Sequence, residues 1–228
     1  MCTLESELAE TARRQLHLIV AGDWSSIDRR LIEYFEDELG TDPSKDPVGV
    51  AFCLLKLGIP PEKATTLLSW KEFEGFCMRG LQLCGMEALG RIMFKHHGRR
   101  YEIDVLGLRN DLSLILECKM WSMRTRSSKI VAEAKKHLTR VLAFNEAMKS
   151  GSIELLSRKS GKSFLIPVIV SWLDVGSTRF EGKVAIVSLS VFPRFLEALD
   201  ELKEDFIEAD YRITLREGPS PPQSTLKF

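Results

Sequence analysis

Apolar residues recur at three- and four-residue spacing from Leu4 to Val20 and again from Ser26 to Leu39, which predicts two amphipathic helices at the start of the chain. The stretch from Thr41 to Pro47 (T-D-P-S-K-D-P) interrupts the pattern with turn formers. Val48 to Leu57 reads as a further apolar helix, Gly58-Ile59-Pro60-Pro61 ends it, and Pro61-Glu62 opens a short helix with proline in its first turn. Two short helices about a glycine turn admit a DNA-reading helix-turn-helix, although such pairs are more commonly packing units. From Ser69 a longer helix is expected to run toward Gly90, with Phe73, Phe76, Cys77, Gly80, Leu81 and Cys84 on one face.

Beyond Gly90 the period shortens to two. Strands are expected over Arg91 to His97, Tyr101 to Leu108 and Leu112 to Trp121, with connections of hairpin length between them. A helix from about Ser128 to Lys149 follows. Two near-continuous apolar runs, Ser163 to Leu173 and Lys183 to Phe192, suit strands buried on both faces. Pro193 then opens a helix expected to reach about Phe206, and Gly218-Pro219-Ser220-Pro221-Pro222 reads as a tail. The expected architecture is α/β: a mixed β-sheet flanked by helices, with an N-terminal helical region. The division along the chain is 1–68 (helical region), 69–212 (sheet domain) and 213–228 (tail).

Charge changes this picture in one respect. The 228 residues balance 32 basic against 32 acidic side chains, yet residues 1–50 hold eleven acidic and five basic ones, whereas residues 91–140 hold twelve basic and five acidic. The positive field therefore surrounds the middle of the chain, where a polyphosphate partner would dock first. The five cysteines form no C-x-x-C pair, which argues against a zinc site or a disulfide framework. No apolar run reaches the roughly 18 residues needed to span a bilayer. The opening M-C-T-L-E lacks a basic stretch followed by an apolar one. A cytoplasmic protein without membrane partners is the expectation.

The candidate chemistry lies on two of the strands. In Y-E-I-D-V-L-G, Asp104 sits in the middle of an apolar strand, a position that costs free energy unless the charge has a partner. In L-I-L-E-C-K, alternation puts Glu117 and Lys119 on one face and Leu116 and Cys118 on the other. Phosphodiester hydrolysis needs an activated water and neutralisation of charge on the phosphoryl oxygens. A hard divalent cation supplies both, and carboxylates with a backbone carbonyl hold Mg²⁺ while leaving positions for water and phosphate. Asp104 and Glu117 are the natural ligands, with the Cys118 carbonyl as a third, and Mn²⁺ is a possible substitute for Mg²⁺. Lys119 is placed to orient the water or stabilise the pentacovalent phosphate.

The aspartate, the twelve-residue gap and the E-C-K triplet resemble the D…E-x-K core of the PD-(D/E)XK nuclease superfamily. The preceding W-K-E-F-E-G-F helix resembles that of the Mrr-like restriction endonuclease branch. The resemblance covers roughly residues 70–195, departs from the pattern in having Ile103 before the aspartate, and does not extend to the first 68 residues. It implies a restriction-endonuclease-like fold and adds Glu74 to the metal site. It also implies a polar or basic residue contributed by the helix after the E-x-K strand, for which Lys135, Lys136 and His137 are unranked candidates. Arg124, Arg126 and Lys129, with Lys135 and Lys136, are candidate phosphate contacts, and Trp121 can stack on a base.

These features predict a Mg²⁺-dependent endonuclease acting on DNA, and the resemblance implies a homodimer, since many nucleases of this type cut both strands as dimers. The alternative is a catalytically silent nucleic-acid-binding or assembly protein on the same fold. A third possibility is a protein-interaction module docking a partner through the acidic N-terminal helices.

Overall fold

The computed structural model describes residues 2–121, 124–174 and 179–216. The stretch Gly218 to Pro222 lies outside the described residues. The chain divides into two compact units, residues 1–73 with 222–228 and residues 74–221.

The first unit is helical. Its helices are α1 (Cys2–Ala21), α2 (Arg29–Leu39), α3 (Pro47–Lys56) and α4 (Pro61–Ala64). The turn formers act as caps. The Asp28 carboxylate accepts the Arg30 N–H at 2.9 Å and Asp46 accepts the Gly49 N–H at 2.8 Å, each satisfying a backbone donor that the first helical turn leaves open. Gly40 closes α2 in the left-handed region, φ 64°, where a side chain would be strained. Leu31, Phe35, Val50 and Leu54 are fully buried among Leu8, Ala12 and Ile19, so the spacing read from the sequence defines a real core. Helix α5 (Trp70–Leu83) follows, opened by a capping box in which the Ser69 N–H donates to Glu72 at 2.6 Å.

The second unit is built on a mixed seven-stranded sheet. Its strands are β1 (Glu87–His96), β2 (Arg99–Arg109), β3 (Leu112–Lys119), β4 (Leu156–Ser171), β5 (Arg179–Glu181), β6 (Val184–Ser188) and β7 (Ile207–Leu215), with order β1-β2-β3-β4-β6-β5 and β7 beside β4. The β1–β2 hairpin closes through His97 and Gly98, both at positive φ (46° and 75°), the conformation that matches the strands' right-handed twist. The connection from β3 to the parallel β4 runs through α6 (Ser127–Lys149), as a parallel pair requires. Val141, Phe144 and Ala147 of α6 pack with Leu106, Ile115 and Leu165 of the sheet. Nearer its start, Ile130 and Ala134 pack with Trp121, Ile169 and Ile186. The opposite face meets α5. A Cβ built on Gly107 would lie 2.8 Å from a methyl of Leu81, so only glycine lets helix and strand approach this closely.

Several elements differ from the sequence expectation. Helix α5 ends at Leu83, and β1 starts at Glu87. Strand β4 starts at Leu156, seven residues before its apolar run, because its first half pairs antiparallel with β7 and only its second half lies deep between β3 and β6. The Ser160-Gly161-Lys162-Ser163 segment forms a bulge within β4, with Gly161 at φ 137°. The helix expected from Pro193 to Phe206 is two short helices, α7 (Phe192–Glu197) and α8 (Leu199–Leu202), and a final 3₁₀ turn, Lys203–Asp205. Strand β7, absent from the expectation, follows. No helix among the described residues is long and apolar enough to cross a membrane.

Candidate active site

The β2–β3 ladder runs from Arg109↔Leu112 to Val105↔Leu116 and then stops. One step further it would set Asp104 opposite Glu117. Here the Asp104 carboxylate takes over from the ladder: its Oδ2 accepts the Cys118 N–H at 2.8 Å. The β1–β2 ladder is also irregular at this level. Gly90 pairs with Val105 and Ile92 with Ile103, while Arg91 between them stands at φ 53°. Strand β3 continues alone toward Lys119, held on its other edge by β4 down to Lys119↔Ser171. Asp104 thus sits where β2 leaves β3, and Glu117 and Lys119 lie on the face covered by α6.

The two carboxylates are set in a largely dry environment. Asp104 and Glu117 are 6% and 5% exposed. Burial pushes the Asp104 carboxyl above its ordinary value; the Cys118 N–H and the charges of Lys119 and Arg140 counter only part of this. Glu117 is engaged at both oxygens. Its Oε1 lies 2.5 Å from Lys119 Nζ, and its Oε2 accepts from Arg140 Nη1. Lys119 is also 3.9 Å from Glu133, which pairs with Lys136 at 2.8 Å.

His137 lies in the same layer and is almost completely buried. Its Nε2 is 2.9 Å from the Ile115 carbonyl, which can only accept, so the ring proton sits on Nε2. Nδ1 therefore carries a lone pair, facing Arg140 Nη1 at 3.4 Å. Burial lowers the ring's pKa from 6.5 to about 4, so the imidazole is neutral and its 4.0 Å approach to Glu117 is not an ion pair.

Glu74, on α5, reaches the region from the other side of the sheet. It is buried, and with Asp104 it acts on the Cys118 thiol. That thiol is raised well above its ordinary value by its hydrogen bond with Cys77, then by burial, then by these two carboxylates. Among the described residues, no group of three or more His, Cys, Asp or Glu side chains is placed to hold a metal ion, so Glu74 does not complete such a cluster. The donors that suit Mg²⁺ are two carboxylates, Asp104 and Glu117, with the Cys118 carbonyl next to Glu117 in the chain. A hard cation that keeps several waters fits this sparse oxygen set, whereas a caged zinc or calcium ion does not. The Cys118 N–H occupies Oδ2 of Asp104, which makes Oδ1 the candidate position for a cation in the set.

Of the basic candidates, Lys135 and Lys136 are exposed on the outer face of α6, away from Glu117. Arg124, Arg126 and Lys129 line an open concavity of about 470 Å³ with Thr125 and Ser128, at the start of α6. Trp121 is buried in the core beside Ile130 and Ile169, which leaves it no face for a base. The sequence reading missed Arg140 and Glu133. The signal that finds them is helical spacing: Glu133, His137 and Arg140 stand at i, i+4 and i+7, one polar stripe on an otherwise apolar face.

No protein-family model matches the chain, and no curated protein matches it. Among solved structures it is similar to the protein of unknown function AF1548, at 19% identity and a TM-score of 0.35 over 59% of this chain and 66% of that one. The chain thus spans just under two thirds of that neighbour. It is also similar to the small subunit of the heterodimeric restriction endonuclease R.BspD6I, at 15% identity and a TM-score of 0.34 over 72% of this chain and 82% of that one. Both are distant likenesses of fold.

Proposed function

We propose that this protein is a Mg²⁺-dependent endonuclease that hydrolyses DNA phosphodiester bonds, with Asp104, Glu117 and Lys119 as its working residues. One observation carries the reading: the ladder between β2 and β3 opens at Asp104, bringing two buried carboxylates and a lysine to one end of the sheet. Charge of this density in a core is costly and needs a chemical reason. A divalent cation, when bound, supplies phosphoryl charge neutralisation and a more acidic water. The protein's own groups do the rest. Asp104 Oδ1 and a Glu117 oxygen hold the cation, and the Cys118 N–H fixes the Asp104 carboxylate in one orientation. Lys119, part-exposed at the mouth of the site, donates to the attacking water or to a phosphoryl oxygen. Arg124, Arg126 and Lys129 hold the flanking backbone phosphates.

The competing reading is a catalytically silent nucleic-acid-binding protein on this fold. It is favoured by the engagement of Glu117 by both Lys119 and Arg140, which satisfies the buried charge without any metal. The two readings part on one experiment. Labelled duplex, branched and single-stranded DNA and RNA are incubated with the protein, with and without Mg²⁺ or Mn²⁺. The endonuclease reading requires metal-dependent DNA cleavage that is lost in Asp104→Ala and Lys119→Ala while both variants keep the wild-type circular dichroism spectrum. Cleavage that survives both substitutions sinks it, and calorimetry showing no uptake of either cation favours the silent protein. Cutting both strands of a duplex needs a second site, so a homodimer is expected on DNA and is checked by light scattering.

A further inference from the structure

The two oxygens of Glu117 are held by two cations from different elements. Lys119 is two residues away on the same strand and moves with it. Arg140 reaches across from α6, and its side chain is 23% exposed. Its guanidinium donates to Glu117 and also lies within the field of Asp104 and Glu102. Both oxygens of Glu117 are thus already taken by cations, Lys119 and Arg140. Two further positive charges brought to this carboxylate are opposed by every cation that stays in place.

We propose that Arg140 is an internal stand-in for the divalent cation: its guanidinium neutralises Glu117 in the metal-free protein and gives that carboxylate up when the cation binds. This rests on the metal-dependent reading above. His137 is the positioning residue for the exchange. Fixed through Nε2 to the Ile115 carbonyl, it presents the Nδ1 lone pair to the guanidinium from a point that does not move. Arg140 thus leaves Glu117 by turning about its own stem while its backbone stays on α6. Once released, its planar fork of donors faces the site mouth, where a phosphodiester oxygen is its natural acceptor. Arg140 therefore makes metal uptake and substrate uptake cooperative, because the phosphate gives the displaced charge a partner.

Mn²⁺ binding, measured by loss of the free-ion electron paramagnetic resonance signal, tests the exchange in wild type, Arg140→Gln, Arg140→Lys and Asp104→Asn. Arg140→Gln removes the competitor and is expected to bind Mn²⁺ about tenfold more tightly or better, the size of one charge-assisted hydrogen bond. Arg140→Lys keeps the charge and should stay near wild type, and Asp104→Asn should lose binding. A structural ion pair makes the opposite prediction, because removing Arg140 would disorder Glu117 and weaken binding. A second measurement uses the wild-type protein alone. The arginine Nε–H resonance assigned by its disappearance in Arg140→Lys should shift as Mg²⁺ saturates the site. Mn²⁺ uptake with no gain in folded Arg140→Gln, or Mg²⁺ saturation without a change in that resonance, overturns the exchange and leaves the nuclease reading standing. If neither wild type nor Arg140→Gln takes up metal, the metal-dependent reading falls and the exchange with it.

Discussion

The imidazole of His137 makes stability depend on pH in a way that can be worked out in advance. The ring is buried and neutral, with a pKa of about 4 in the fold against 6.5 for an exposed histidine. The unfolded chain therefore takes up a proton at this residue before the folded one does. Stability from His137 is complete above pH 6.5 and is lost as pH falls from 6.5 toward 4. The full interval is worth about 3 kcal/mol at ~1.4 kcal/mol per pH unit. By pH 5 the linkage relation gives a loss of about 2 kcal/mol, and by pH 6 about 1 kcal/mol. The perturbation is His137→Gln, whose amide N–H₂ can still donate to the Ile115 carbonyl but which does not titrate. Urea unfolding is followed at intervals from pH 8 to 4.5 for both proteins. Other groups titrate in this range, but they are common to both, so the difference between the two curves isolates residue 137. Wild type should lose about 2 kcal/mol more than the variant between pH 8 and pH 5. Parallel curves would refute the lowering of the ring's pKa by burial.

Asp104→Asn should abolish cleavage and raise the melting temperature at neutral pH. The amide oxygen still accepts the Cys118 N–H, while the charge that burial disfavours is gone; differential scanning calorimetry alongside the cleavage assay checks both. The sign follows from the raised pKa: the folded state holds this proton more tightly, so the stabilising effect of the variant should shrink as pH falls toward the ordinary carboxyl range. Gly107→Ala places a methyl 2.8 Å from Leu81 and should cost about 1–3 kcal/mol in chemical denaturation, as overpacking does. Replacing Arg124, Arg126 and Lys129 together by Gln should weaken DNA binding and reduce the slope of log K against log salt by about 2.7, near 0.9 for each phosphate no longer neutralised. An unchanged slope would remove the start of α6 from the DNA-binding surface.

The elements that the sequence made legible are those whose pattern is local. The period-two runs at β2 and β3, the hairpin turns and the apolar face of α6 follow from side-chain alternation within one segment. So does the placement of Glu117 and Lys119 on a single face. Strand β7 was not legible. Its inward residues Ala209, Tyr211 and Ile213 alternate cleanly, but the neighbouring Glu208 and Asp210 belong to types depleted in strands. What holds it is tertiary, the pairing with the first half of β4 and the Tyr211 hydroxyl on the Asn145 side chain at 2.5 Å. Arg140 was hidden for a related reason. In sequence Lys135 and Lys136 look like better donors, and only the rotation of α6 on the sheet turns those two outward and Arg140 inward. Glu74 is partly legible: the sequence marks its helix, but not that it approaches Cys118 from the face opposite Glu117.

The aspartate that interrupts the ladder has a meaning for how this sequence can drift. Because Asp104 Oδ2 stands where a strand carbonyl would otherwise receive the Cys118 N–H, position 104 has an architectural duty independent of any reaction. A lineage that abandoned catalysis would still be held to a short side chain bearing an acceptor. Asparagine is the tolerated exit, whereas leucine or valine would orphan a buried donor. Glu117 and Lys119 lie under no such backbone obligation. Among descendants of this chain, an aspartate or asparagine at 104 therefore records retained shape, whatever becomes of the charge pair on β3.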